Sequence, residues 1–195
     1  AGGNLPRDSR AASSPNEMNL LLVQEQDLAP DATFELTGRR AEHVACVLRA
    51  KEGDRLKAGL LGGRIGTATV LSCVKKSVRL RLNELPTPPP PPCPILPLVA
   101  LPRPQSFKKV LHFIASSGIR RAAFFQAAKV EKSYWTSSAL QPDAIRGELF
   151  EGLEQGCMTV LPELIFLKSP QEAAHLPELP EHKLVAHPRG ARPCP

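Results

Sequence analysis

Aromatic residues are scarce. They make up 5% of the chain, with one Trp and one Tyr. A core must therefore come from Leu, Val, Ile and Ala, and a hydrophobic content of 42% supplies enough of them. Long apolar runs are missing too. None approaches the roughly 18 residues of a membrane span. The longest, Ile95 to Leu101 and Ala122 to Phe125, are strand-sized, so a soluble protein is expected. The cysteines (Cys46, Cys73, Cys93, Cys157 and Cys194) are odd in number, and no two stand at Cys-x-x-Cys spacing. That argues against a disulfide framework and against a structural zinc site. The histidines also lack ligand spacing, so no metal is expected. There is no Gly-x-Gly-x-x-Gly, no Gly-x-x-x-x-Gly-Lys-Ser/Thr and no Gly-x-Ser-x-Gly, which removes the commonest nucleotide and hydrolase signatures.

The first 17 residues are rich in Ala, Gly, Ser and Pro and contain no apolar stretch. They read as a disordered tail rather than a secretory signal. Arg7 and Arg10 among serines admit a transit-peptide remnant and hence an organelle; Asp8 and Glu17 speak against it. A cytoplasmic protein is the expectation, with no membrane partner.

Positive charge is abundant. The net charge is +6 and the pI about 9.3. This favours a polyanionic partner, because Lys and Arg that neutralise phosphates release condensed counterions. Proline is abundant as well, and unevenly spread. Ten of 21 prolines lie between Pro86 and Pro104, with an unbroken run from Pro88 to Pro92. Such a run is a semi-rigid extended spacer. A proline-binding partner is the alternative use. The spacer divides the chain into a tail (1–17), a first domain (18–85), a linker (86–94) and a second domain (95–195).

The first domain reads as mainly β. An apolar start over residues 19–23 leads to a helix over residues 39–48, capped by Thr37, with Ala41, Val44, Ala45 and Leu48 on one face. Strands are expected over residues 55–61, 65–72 and 77–82, with a hairpin at Gly62-Gly63. The last strand alternates Val78-Arg79-Leu80-Arg81-Leu82, so one face is buried and one polar. Short strands, tight turns and one helix suggest a small closed barrel. The second domain alternates strand and helix. Strands are expected over residues 95–101, 121–126, 164–167 and 184–186, the first buried on both faces. Helices start at Ser106, ending at Gly118, and at Pro142. This is an α/β pattern with a mostly parallel sheet, whose ligands bind beyond the strand carboxyl ends.

Three groups of residues could carry function. Arg39, Arg40, His43, Arg49 and Lys51 crowd on and after the first helix, with Arg64, Lys75 and Lys76 at nearby turns. They suit phosphate contact, and equally a solvated helix face. Lys129 and Lys132 lie on a loop that also holds Tyr134 and Trp135, where an aromatic ring could stack a base or plug the loop onto the domain. Glu154 and Gln155 end a helix, as a hydrogen-bond hub or as substrate contacts.

Taken in order, Asn19-Leu-Leu-Leu-Val23, Gly38-Arg-Arg-Ala-Glu-His43-Val-Ala-Cys-Val-Leu-Arg49, Leu101-Pro-Arg-Pro104, Val130-Glu-Lys-Ser-Tyr-Trp135, Glu154-Gln155 with Leu161-Pro-Glu163, and His187-Pro-Arg189 resemble the ribosomal RNA small-subunit methyltransferase E family. The resemblance runs over nearly the whole chain. It implies a PUA-like β-barrel that grips RNA, followed by a knotted α/β methyltransferase domain of the SPOUT class. It implies S-adenosylmethionine as cofactor, uridine N3 of small-subunit (16S) ribosomal RNA as target, and a homodimer. RNA contacts would fall on Arg39, Arg40, His43, Arg49, Lys51, Arg64, Lys129 and Lys132, and one wall of the donor pocket on His187 and Pro188. No catalytic base is assigned. The family's Gly-Pro-Glu-Gly-Gly loop and its Leu-Gly-x-Arg-Ile-Leu-Arg stretch, which form most of that pocket, are not in this sequence. Cys157 and Met158 stand where a basic residue commonly follows the Glu-Gln pair. The expectation is therefore a truncated second domain that binds the donor poorly, with a non-catalytic RNA-binding protein as the alternative.

Overall fold

Four consecutive apolar residues, Leu20 to Val23, join the two halves of the molecule. In the computed structural model, which describes residues 20–186 except 75 and 178, they form the first strand, β1 (Leu21–Val23), and the residue before it. Side chains alternate along a strand. Leu21 and Val23 enter the core of the first lobe, while Leu20 and Leu22 enter the core of the second. Both faces are buried, which is why the run contains no polar residue. Each such side chain contributes on the order of 1.5–3 kcal/mol by leaving water. The expected tail and Lys75 lie outside the described residues.

The first lobe is a five-stranded sheet in the order β1-β3-β4-β5-β2. Its other strands are β2 (Thr33–Thr37), β3 (Arg55–Leu60), β4 (Ile65–Val74) and β5 (Ser77–Leu82). β1 runs parallel to β3, and the remaining pairs are antiparallel. The Gly62-Gly63 hairpin forms as expected, with Gly62 at φ +75. β5 keeps its expected alternation, with Val78 and Leu80 buried and the arginines outside.

Three expectations for this lobe need correction. The sheet is curled but not closed, since no ladder pairs the edge strands β1 and β2 among the described residues. β2 was not foreseen. It follows a turn in which the Asp31 carboxylate accepts from the Thr33 amide at 3.2 Å and from its hydroxyl at 2.7 Å. Those bonds hold the Asp31 carboxyl below its usual range. The single helix over residues 39–48 is instead α1 (Gly38–Glu42) followed by a wider π-type turn (His43–Val47), closed by Leu48 N–H to the His43 carbonyl at 3.0 Å. Ala45 and Leu48 are only half-buried, so burial does not hold a regular helix to its end.

The second lobe is a parallel sheet in the order β6-β7-β8, formed by β6 (Leu98–Ala100), β7 (Arg121–Phe125) and β8 (Glu163–Leu167). α2 (Pro104–Ser116) and α3 (Pro142–Gly156) pack on the face that carries Ala122 and Phe124. Phe107 meets Phe124 edge-on at 4.9 Å. A short α4 (Pro170–Ala174), not foreseen, lies against β7 and β8. α2 starts at Pro104 rather than Ser106, because proline suits the first helical position. It ends at Gly118 (φ +72) as expected.

β6 is shorter than expected and is an edge strand, not buried on both faces: Ile95 and Leu98 are exposed, and Pro94 and Pro97 can donate no ladder hydrogen bond. The expected strand over residues 184–186 is absent. Leu184 and Val185 are exposed and pair with no strand, so their backbone groups stay with water.

The proline segment is strapped down rather than hanging between the lobes. Thr87 and Ile65 exchange backbone bonds at 2.8 and 3.0 Å. The Arg64 guanidinium donates to the Leu85 carbonyl at 2.7 Å and also to that of Pro86. Arg120 reaches the Pro90 carbonyl at 3.2 Å, and Cys93 N–H donates to Gly118 at 2.9 Å. Gly66 is required here, because a Cβ at that position would stand 2.2 Å from the Glu84 carbonyl oxygen.

Candidate functional site

The seam between the lobes opens into a cleft of about 140 Å³. Leu20, Arg39, Arg40 and His43 line it from the first lobe, and Glu151, Glu154 and Gln155 from α3. Its charges are mutually paired. Arg39 pairs with Glu151, and Arg40 with Glu154 at 2.9 Å. Arg40 also donates to the Leu22 carbonyl at 2.6 Å and lies 5.8 Å from the Phe150 ring centroid. Glu154 accepts from the Leu22 amide at 3.2 Å, and its own carbonyl accepts from Leu20 N–H at 2.9 Å. Of the two roles open to Glu154, the geometry is that of the hydrogen-bond hub.

The structure separates the basic residues of the first helix and its surroundings. Arg39 is largely exposed, whereas the Arg40 side chain keeps 30% of its accessibility. Arg49 and Lys51 are exposed beyond the π-type turn, and Arg49 has a left-handed backbone (φ +52). Arg64 is occupied by the strap. Lys129 and Lys132 are exposed on the loop after β7, on the second lobe. Between them and β8, Trp135 packs edge-on against Phe166 at 6.3 Å, and Tyr134 donates its hydroxyl to Glu131 at 3.3 Å. Both rings pack against the second core, so they plug the loop onto the lobe.

A second charged cluster bridges α2 and α3. His112 Nε2 shares a hydrogen bond with Glu148 at 2.8 Å and lies 3.8 Å from Glu151. Lys108 Nζ meets the other Glu148 oxygen at 2.7 Å. Burial pushes the Glu148 carboxyl up, but the bonds from Lys108 and His112 outweigh it and hold the carboxyl below its ordinary value. The Glu148 carboxylate in turn raises Lys108. His112, Glu148 and Glu151 offer donor atoms within 4.8 Å of one another, as metal ligands would. Lys108 and Arg39 already hold these carboxylates, however, and the cluster is an ion-pair network. Sequence reasoning missed Glu151, although it stands three residues before Glu154 and so shares a helix face with it.

The carboxyl ends of β6, β7 and β8 carry the loops beginning at Leu101, Gln126 and Lys168. Backbone bonds knit them together: Leu101 N–H to Phe125 at 2.9 Å and Gln126 N–H to Leu167 at 3.2 Å.

Residues 89–195 match the model of the RNA methyltransferase domain family. That is more than half of the chain. The chain belongs to the RNA methyltransferase domain family. Ribosomal RNA small subunit methyltransferase E 1 of Borreliella burgdorferi is 27% identical over 159 residues, 80% of this chain and 64% of that protein. Ribosomal RNA small subunit methyltransferase E of Treponema pallidum is 25% identical over 146 residues, 74% of this chain and 55% of that protein. The chain thus spans less than two thirds of the length of either relative. A solved Legionella pneumophila protein named as a methyltransferase, with S-adenosylmethionine bound, shares the fold at TM-score 0.61 and 18% identity, covering 90% of this chain and 72% of its own.

The described residues do not by themselves form a pocket for that cofactor. The recess at the carboxyl edge, lined by Leu101, Pro102, Phe107, Tyr134 and Leu140 among others, is too tight to admit even a water-sized sphere. Small-molecule sites occupy roughly 300–1,000 Å³. Its lining is mostly apolar, with Tyr134 and Ser137 as its polar side chains, and holds no carboxylate to pair with a sulfonium or an amino group. His187 and Pro188 lie outside the described residues.

Proposed function

We propose that this protein methylates uridine N3 in small-subunit ribosomal RNA, with S-adenosylmethionine as methyl donor. The observation that carries the proposal is the family match over the second lobe, joined to two relatives named as small-subunit ribosomal RNA methyltransferases. The first lobe is then a PUA-like half-barrel that grips RNA, and the second a SPOUT-type domain. A homodimer acting in the cytoplasm belongs to the same reading.

In this reading the chain's own residues mainly hold RNA. Arg39, His43, Arg49 and Lys51 face it from the first lobe, and Lys129 and Lys132 from the carboxyl edge of the second. Arg40 and Arg64 serve indirectly, Arg40 by fixing the seam and Arg64 by fixing the strap. His187 and Pro188 stand next to the donor. Uridine N3 carries a proton that must leave before the nitrogen can bond carbon, so a base or a group that stabilises the anion is required. No described residue is assigned to that step. The parallel sheet supports the placement, since ligands of such sheets sit beyond the strand carboxyl ends. A purely RNA-binding role is disfavoured, because the family match covers the catalytic lobe and not the first.

The test is methyl transfer from labelled S-adenosylmethionine by the full protein to small-subunit ribosomal RNA and to large-subunit RNA. Label in the small-subunit RNA alone is expected. Label in neither would overturn the proposal.

A further inference from the structure

β1 is an edge strand, yet its outer edge is not left open. Leu20 N–H donates to the Glu154 backbone carbonyl at 2.9 Å, and Leu22 N–H to the Glu154 carboxylate at 3.2 Å. One residue at the end of α3 thus stands where a further strand would, and takes both amides that β3 does not. The same carboxylate oxygen accepts from Arg40, which in turn holds the Leu22 carbonyl at 2.6 Å. Glu154 keeps 17% of its side-chain accessibility, so this is a half-buried, charge-assisted network rather than a surface pair. It ties three elements together: the edge of the first sheet, the helix α1 that leads to the exposed Arg49 and Lys51, and the helix α3 of the catalytic lobe.

Resting on the RNA methyltransferase function proposed for the full protein, we propose that Glu154 is a positioning residue for RNA. It sets the angle between the RNA-gripping lobe and the methyltransferase lobe, so that one RNA reaches both. Glu154 does not touch the reacting atoms. Its loss lets β1 and α1 shift on α3, and an RNA long enough to contact both lobes then binds less well. Weaker binding shared by the ground and transition states raises KM and leaves kcat unchanged. A short RNA that engages only the second lobe is insensitive to the angle.

The test compares wild type, Glu154→Ala, Glu154→Gln and Arg40→Ala with Glu154→Ala in the full protein. Two substrates are used, a small-subunit RNA helix of about two turns and an oligonucleotide of about five residues around the target uridine. Filter binding and steady-state methyl transfer are measured with each, alongside thermal unfolding. Glu154→Ala is expected to raise KM and Kd for the long RNA about tenfold with kcat within twofold, and to leave KM for the short RNA unchanged. Glu154→Gln keeps an acceptor oxygen and should recover most of the loss. The double variant should be no worse than Glu154→Ala alone, because the two residues act as one unit. An unchanged KM for the long RNA overturns the inference, as does an equal loss on both substrates. Wild type that binds RNA but transfers no methyl group overturns the enzymatic reading instead, and the filter-binding comparison still decides the role of Glu154.

Discussion

Thr159, on the stretch between α3 and β8, donates its hydroxyl to the Gly63 carbonyl at 2.8 Å, and its own carbonyl accepts from Gly62 N–H at 2.6 Å. Only 1% of Thr159 is exposed. The hairpin of the first lobe is therefore riveted to the second lobe by a polar side chain with no access to water. Replacing Thr159 by Val keeps the shape and removes the hydroxyl, so the Gly63 carbonyl loses this donor. A loss of about 1–2 kcal/mol is expected in thermal or denaturant unfolding. Unchanged stability would mean that water replaces the hydroxyl and that the rivet is weak.

The Glu148 carboxyl is held below its ordinary value of 4.5, burial being outweighed by its bonds to Lys108 and His112. A depressed carboxyl contributes stability that is present above its unfolded value and is lost as pH falls through the folded one. Asp31 is depressed too, so the whole-protein profile mixes both groups. The informative quantity is the stability difference between wild type and Glu148→Gln. It should be positive near neutrality and shrink as pH drops below the 4.5 of an ordinary glutamate. A difference that stays constant through the acid range would show that Glu148 acts by packing alone.

Elements built on a local repeat were legible in the sequence. β5 follows from the alternation of Val78 and Leu80 with arginines, and α2 from the spacing of Phe107, Leu111 and Ile114. The Gly62-Gly63 hairpin followed from turn chemistry. What escaped was set by distant partners. β2 depends on an Asp31 turn and on pairing with β5. The π-type turn arises where burial on α1 runs out. The role of Arg40 was invisible for another reason: a basic residue on a helix looks the same whether a phosphate or a carboxylate 114 positions away neutralises it. The Glu154 hub was open as one of two readings, but nothing local to it named Leu22 as its partner.

If the first lobe grips RNA, Arg49 and Lys51 are exposed candidates outside the seam. Arg49→Asn tolerates the left-handed backbone at that position; Lys51→Ala removes a second charge. The double variant should bind small-subunit RNA more weakly. The slope of log K against log salt should fall by roughly 0.7 to 0.9 for each phosphate no longer neutralised. Equal slopes for variant and wild type would place these residues on a solvated face.

The central claim concerns which atom of RNA receives the methyl group. The decisive measurement digests small-subunit ribosomal RNA, after incubation with the full protein and S-adenosylmethionine, to nucleosides and separates them by liquid chromatography with mass detection. The account predicts a new peak of 3-methyluridine at one methyl group per RNA or less. A methyl group on carbon 5 of uridine, on a ribose hydroxyl or on another base would contradict it.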